Sequence, residues 1–154
     1  MTKKQSAGLL LYRKNKNILE VFLVHPGGPL WKNKDEGVWS IPKGEFDENE
    51  EPLHAAIREF SEETGQEVSG KFMELKPVVQ KSGKTVFAWA LEKNIDVANF
   101  ISNNFEMEWP PRSGKFQSFP EADKGEWFLI DEAKKKINAA QVSLLTELED
   151  KLRP

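Results

Sequence analysis

Cysteine is absent from the 154 residues, and histidine occurs only twice, as His25 and His54. The first absence removes disulfides, thiol nucleophiles, iron–sulfur clusters and cysteine zinc sites. The second rules out a three-histidine zinc centre and leaves a Ser-His-Asp triad few ways to form. A basic excess is missing too. The 22 Lys and Arg stand against 25 Asp and Glu, a net charge of −3, so long nucleic acid is not an expected partner. Long apolar runs are also lacking. Residues 8–11 and 21–24 fall far short of the ~18 needed to span a membrane, so no membrane partner is expected. The basic start at Lys3 and Lys4 leads into an apolar stretch that breaks at Arg13, too short for a signal peptide. A cysteine-free chain without such a signal is expected in the cytoplasm.

What is present suits one soluble domain, residues 1–154. Five Trp and ten Phe give bulk to a core, and 31% charged residues solvate the surface. With thiols and histidines nearly excluded, catalysis would rest on carboxylates, lysines, arginines and oxygen-bound metals. A metal ion could also attract an anionic substrate that the net charge does not.

Residues 7–12 and 18–24 are apolar and β-prone, and the polar segment 13–17 between them predicts an antiparallel hairpin. Residues 38–41 read as a short strand stopped by Pro42, and 44–51 as an acidic loop. Pro52 fits a helix first turn and Gly65 the position just past a helix end, which predicts a helix over Pro52–Thr64. Strands are expected at 78–79 and 85–91, around a turn at 81–84. Further strands are expected at 105–109, where Glu106 and Glu108 share one face, and at 126–130. Residues 110–120 read as a loop. Asp131 is a plausible cap for a helix over 133–137, and the last helix covers 141–152. The irregular mixture, without a βαβ rhythm, predicts an α+β layered domain.

At about 100° per residue, Glu59, Glu62 and Glu63 share one stripe of the first helix, a quarter-turn from apolar Ile57 and Phe60. Like charges at helix neighbours repel by ~0.2–0.5 kcal/mol per pair, and the helix C-terminus disfavours anions. Arg58 is the nearby counter-charge. A hard divalent cation such as Mg²⁺ would remove the repulsion, because it takes a few carboxylate oxygens plus water and phosphate. Taken alone, the spacing fits a solvated helix face better than a metal site.

The surroundings of that stripe are more specific. Gly44, five residues, Glu50, seven residues, then Arg58-Glu59-Phe60-Ser61-Glu62-Glu63-Thr64-Gly65 resembles the Nudix box of the Nudix hydrolases. One fixed position departs: Gln66 stands where an apolar residue is usual, a matter of packing beyond the helix end. Residues 41–45 resemble the strand-to-loop entry of dinucleoside polyphosphate hydrolases and RNA pyrophosphohydrolases. Residues 120–123, followed by Trp127 and Phe128, resemble the segment ahead of the final helix in those branches. The resemblance implies the Nudix fold, a mixed β-sheet sandwiched between α-helices. It implies that Glu59, Glu62 and Glu63 are metal ligands with the Lys43 carbonyl, and that Glu50 and Arg58 brace the loop and helix. The metal would be Mg²⁺, with Mn²⁺ the alternative.

The implied reaction is water attack on phosphorus in a nucleoside diphosphate linkage, with a small nucleotide as substrate. One box carboxylate takes the water's proton, and Glu62 is the first choice. Dinucleoside polyphosphates such as diadenosine tetraphosphate are the preferred substrates. Nucleoside triphosphates and RNA 5′ ends remain open, as does a nucleotide-binding module that has lost catalysis. Lys43, Arg112 and Lys115 are candidate phosphate contacts. Trp39 is a candidate for stacking a base, with Trp31, Trp109 and Phe119 as others. Glu121, stiffened by Pro120, is the preferred extra metal ligand over Glu106 and Glu108. His25, before a Pro-Gly-Gly turn, is a weaker functional candidate.

Overall fold

The computed structural model describes residues 4–153. Strand β1 (Gln5–Asn15) turns through Lys16 and Asn17 into β2 (Ile18–Pro26). Both turn residues have positive φ, 53° and 68°, as a tight two-residue hairpin with the native strand twist requires. The next strand, β3 (Lys43–Phe46), pairs antiparallel with the first half of β1, Gly44 opposite Ala7. Residues 44–46 are therefore an edge strand and not the expected loop. Its sequence, Lys-Gly-Glu-Phe, has no apolar alternation to betray it, and its strand character comes from backbone pairing with Gln5–Gly8 of β1. Residues 38–41 form only isolated bridges instead of a strand. Their backbone bonds scatter: Trp39 N–H donates to Lys136 O at 3.0 Å, Ser40 exchanges bonds with Val24, and Ile41 N–H donates to the Gln141 side chain at 3.0 Å.

Helix α1 (Pro52–Thr64) has the predicted bounds. Pro52 opens it, and Gly65 closes it at φ 75°, donating its N–H to Ser61 O. A Cβ on Gly65 would also press on Ile101 O, so packing as well as φ selects glycine. The polar Gln66 is held in place by a bond from its Nε2 to Asp96 O at 3.1 Å.

The short strands β4 (Met73–Glu74) and β5 (Val78–Val79) flank β6 (Thr85–Glu92). Strands β7 (Asn104–Glu108) and β8 (Phe116–Pro120) make a separate hairpin, so the loop expected over 110–120 is half strand. Strand β9 (Ala122–Leu129) begins earlier than expected and precedes α2 (Ile130–Lys136) and α3 (Val142–Leu152). Leu129, not Asp131, occupies the cap position of α2; Asp131 lies inside the first turn.

The main sheet runs β4-β6-β1-β2-β9, with β3 beside β1 and β5 beside β6. Strands β1 and β6 are parallel and their other neighbours antiparallel, so the sheet is mixed. Side chains alternate across it. Ala7, Leu9, Leu11 and Phe22 pack with Ala56 and Phe60 of α1. Leu10, Val21, Leu23 and Phe128 pack on the other face with Leu144, Leu145 and Leu148 of α3. One sheet between helices is the expected α+β architecture. Among the described residues no helix is long and apolar enough to cross a membrane.

Gln141 is fully buried and also donates to Ser40 Oγ at 3.0 Å. It thereby fixes the segment that leads into β3. Gln141→Leu should leave the Ile41 N–H without its partner and lower stability by about 1–3 kcal/mol, read from urea unfolding.

Candidate active site

Where α1 faces the start of β3, a cavity of about 440 Å³ opens. Glu59, Glu62 and Glu63 reach it from α1, Glu121 from the turn between β8 and β9, and Lys43, Gly44 and Glu45 from β3. Ser6, Lys84 and Asn103 complete the lining. The local cause is the helical spacing, which turns three glutamates to one side while Phe60 enters the core.

Arg58 organises the acidic wall. Its Nε and Nη2 donate to the two oxygens of Glu50 at 2.8 and 2.9 Å, a bidentate fork. Its Nη1 donates to Glu59 Oε1 and Glu62 Oε2, both at 2.9 Å. The fork holds the Glu50 carboxyl below its ordinary range and raises the Arg58 guanidinium still further above neutrality. Glu59 is held above the carboxylate range by burial, against the pull of Arg58. It lies over Gly44 so closely that any Cβ there would overlap its carboxylate.

Glu63 is the most perturbed group. Burial pushes its carboxyl up to about 8, although Lys43 N–H donates to its Oε2 at 3.2 Å. Glu59 and Glu121 add repulsion. Burial raises Glu121 as well. Lys43 is lowered by burial and then by neighbouring Lys84. Lys84 itself is paired with Glu45 at 3.0 Å. Ser6 Oγ, in the same cavity lining, is buried without a hydrogen-bond partner among the described residues. The cavity thus has an acidic wall with too little positive charge and a basic wall with a free hydroxyl.

The donor chemistry fits a divalent cation. The four glutamates offer hard oxygens at an open cavity, as Mg²⁺ prefers when water and phosphate complete its shell. Three of them are penalised for being ionised where they are, a penalty that a bound cation reverses. Among the described residues no three acidic or histidine groups already form a closed ligand cluster. The arrangement is an open site to be drawn together by the ion.

Of the residues expected from sequence, Glu59, Glu62, Glu63, Lys43 and Glu121 meet at this cavity, with Glu50 and Arg58 behind them. Trp39 does not. It is 1% exposed, its ring packs on Phe128, and its Nε1 donates to Asp35 Oδ1 at 2.8 Å. As a core residue it has no face free for a base. Arg112 and Lys115 sit on the exposed β7–β8 turn and do not line the cavity, because that hairpin forms its own sheet. Glu108 caps the same turn, accepting from Arg112 N–H and Gly114 N–H at 3.1 Å each. The sequence reading missed Ser6, Lys84 and Asn103. Only pairing across the sheet brings the first two beside β3, and no local signal marks them.

An acidic helix face on a helix-flanked mixed sheet defines a Nudix-type domain. Residues 2–148 match the NUDIX domain, and the chain belongs to that family. Over 75 residues it is 44% identical to the asymmetrical bis(5′-nucleosyl)-tetraphosphatase of Rattus norvegicus, covering 44% of this chain and 51% of the relative. The chain therefore spans about half the length of that curated relative. Its fold is similar to the Ap4A hydrolase of C. elegans in a binary complex, at TM-score 0.66, 24% identity and 97% coverage of both chains. It is also similar to the NUDIX domain of Shewanella oneidensis NrtR complexed with ADP ribose, at TM-score 0.68 and 15% identity, covering 99% of this chain and 90% of the other. The family generally uses divalent metal ions.

Gly44→Ala tests the geometry. The added Cβ must displace the Glu59 carboxylate, and turnover should fall by about 10²-fold, the scale of a misplaced reacting group. The variant should remain folded by circular dichroism.

Proposed function

We propose that the chain is an Mg²⁺-dependent hydrolase of dinucleoside polyphosphates such as diadenosine tetraphosphate, with Mn²⁺ able to replace Mg²⁺. The observation that carries this reading is the cavity's two walls. Four glutamates suit a cation, and Lys43, Lys84 and Ser6 suit phosphate oxygens. The tetraphosphatase likeness of the rat relative supports the substrate class.

Glu59, Glu62, Glu63, Glu121 and the Lys43 carbonyl would hold the ion. When bound, it neutralises phosphate charge, acidifies water and stabilises the leaving oxygen. Arg58 keeps Glu59 and Glu62 at fixed positions, and Glu50 fixes Arg58. The Glu62 side chain is 40% exposed against 14% for Glu59, which leaves it the better placed to take a proton from water. Lys43 and Lys84, at the β3 side of the cavity, can neutralise phosphate oxygens. The Ser6 hydroxyl can donate to one of them.

A panel of nucleotides incubated with Mg²⁺, with products weighed by mass spectrometry, tests the substrate. A dinucleoside tetraphosphate should yield a nucleoside triphosphate, with label from ¹⁸O-water in only one product. Strong hydrolysis of ordinary triphosphates with no action on dinucleoside polyphosphates would replace this reading with the triphosphate one.

Chelator should abolish activity, and Mg²⁺ or Mn²⁺ should restore it and raise the melting temperature. Full turnover in excess chelator would exclude the metal mechanism.

Glu62→Gln should lower kcat by at least ~10²-fold with the fold retained. Near-normal turnover would pass the base role to Glu59 or Glu63. Glu121→Gln should also cost ~10²-fold, the scale of one lost transition-state contact, while Glu106→Gln and Glu108→Gln each cost less.

A further inference from the structure

His25 is one of the chain's two histidines, and the proposed chemistry does not use it. It is 3% exposed at the end of β2. Its Nδ1 lies 2.9 Å from Asp123 Oδ1 and its Nε2 2.6 Å from Lys34 O. Both partners are acceptors. The ring thus bridges a β9 carboxylate and a loop carbonyl through its two nitrogens. The ring also packs edge-on against Trp39 at 5.2 Å. Of the other charged groups lining the separate cavity beside it, Asp35 pairs with Lys136 and the Trp39 indole and Lys124 lies over the Trp39 ring, while Lys32, Glu126 and Glu132 line it as well. Asp123 is the carboxylate that meets the imidazole.

This staple falls where the strand ladder fails. The β2–β9 register shifts between His25 and Pro26, so regular pairing stops just before Glu121. Beyond the shift, Gly27 N–H donates to Glu121 O at 3.0 Å. A Cβ on Gly27 would overlap Pro120 O, so the two segments are in close contact. Glu121 N–H then donates to Asn103 O at 2.7 Å, and Asn103 N–H to Glu62 O at 2.8 Å. A continuous chain of bonds links the 25–27 segment through Glu121 to the end of α1.

We propose that His25 is a positioning residue for Glu121. By clamping Asp123 of β9 and the Lys34 carbonyl at once, it locks the 26–34 loop onto the start of β9. The lock holds the Glu121 carboxylate at the cavity. This rests on the proposed function in taking Glu121 as a working member of the site. His25 does not itself touch substrate.

Two variants break the clamp from opposite sides. Asp123→Ala removes the partially exposed carboxylate without opening the core, and His25→Gln keeps a polar side chain that cannot donate at both ends. Amide hydrogen exchange reads the clamp without activity. Exchange of the Glu121 N–H should rise at least ~10-fold in both variants while β1 amides keep their protection. Kinetics read its consequence. In each variant kcat on diadenosine tetraphosphate should fall ~10-fold with KM within ~3-fold, and in a Glu121→Gln background the further loss should stay under ~2-fold. Unchanged exchange at Glu121 would overturn the clamp. A loss of kcat just as large in the Glu121→Gln background would show that His25 does not act through Glu121. If the unaltered chain hydrolyses none of the panel, the proposed function fails, and exchange at Glu121 still decides whether His25 positions it.

Discussion

The Arg58 guanidinium holds the acidic face of α1 together. Three carboxylates within a turn and a half of one helix repel each other, and the helix dipole adds to the cost near the C-terminus. One planar cation answers Glu50 with two bonds and Glu59 and Glu62 with one donor nitrogen. The fork geometry matters as much as the charge. A lysine in that position would neutralise but would not fix three carboxylates at once. Because Glu50 lies outside α1, the same residue also anchors the 47–51 loop to the helix.

Arg58 does not reach Glu63, and the rest of the site follows from that. Glu63 sits deep against the start of β3, where the Lys43 N–H donates to it, and burial pushes its carboxyl up to about 8. Glu59 and Glu121 are raised as well. A folded protein that keeps several costly carboxylates around one cavity has left a place for positive charge. The opposite wall has the complementary fault, with Lys43 made less basic by burial and by Lys84, and Ser6 without a partner. In the proposed function, a divalent cation with a phosphate chain would satisfy both walls together.

Rigid elements set these walls. α1 is pinned by Ala56 and Phe60 in the core, and β3 by its pairing to β1. Gly44 lets them approach, since no larger residue leaves room for the Glu59 carboxylate. Glu121 alone comes from a turn. It accepts from Gly27 N–H and donates to Asn103 O, just past the Pro26–Ala122 and Asn104–Pro120 pairs that end the two ladders.

Local signals set the bounds of α1 to the residue. They are Pro52 at the start, Gly65 at the end, and apolar positions three and four apart. The first hairpin was legible for the same reason. So were Glu59, Glu62 and Glu63, since helical spacing alone puts them on one side, and the Nudix box added Arg58 and Glu50. Tertiary structure decided the remainder. β3 is polar and takes its strand character from β1. Trp39 looked like a stacking residue, yet long-range packing against Phe128 and His25 removed its free face. Arg112 and Lys115 looked like phosphate contacts, but an independent hairpin carries them away from the cavity. Ser6, Lys84 and the His25–Asp123 clamp join residues far apart in the chain. Such contacts arise from sheet register, which no short window of sequence records.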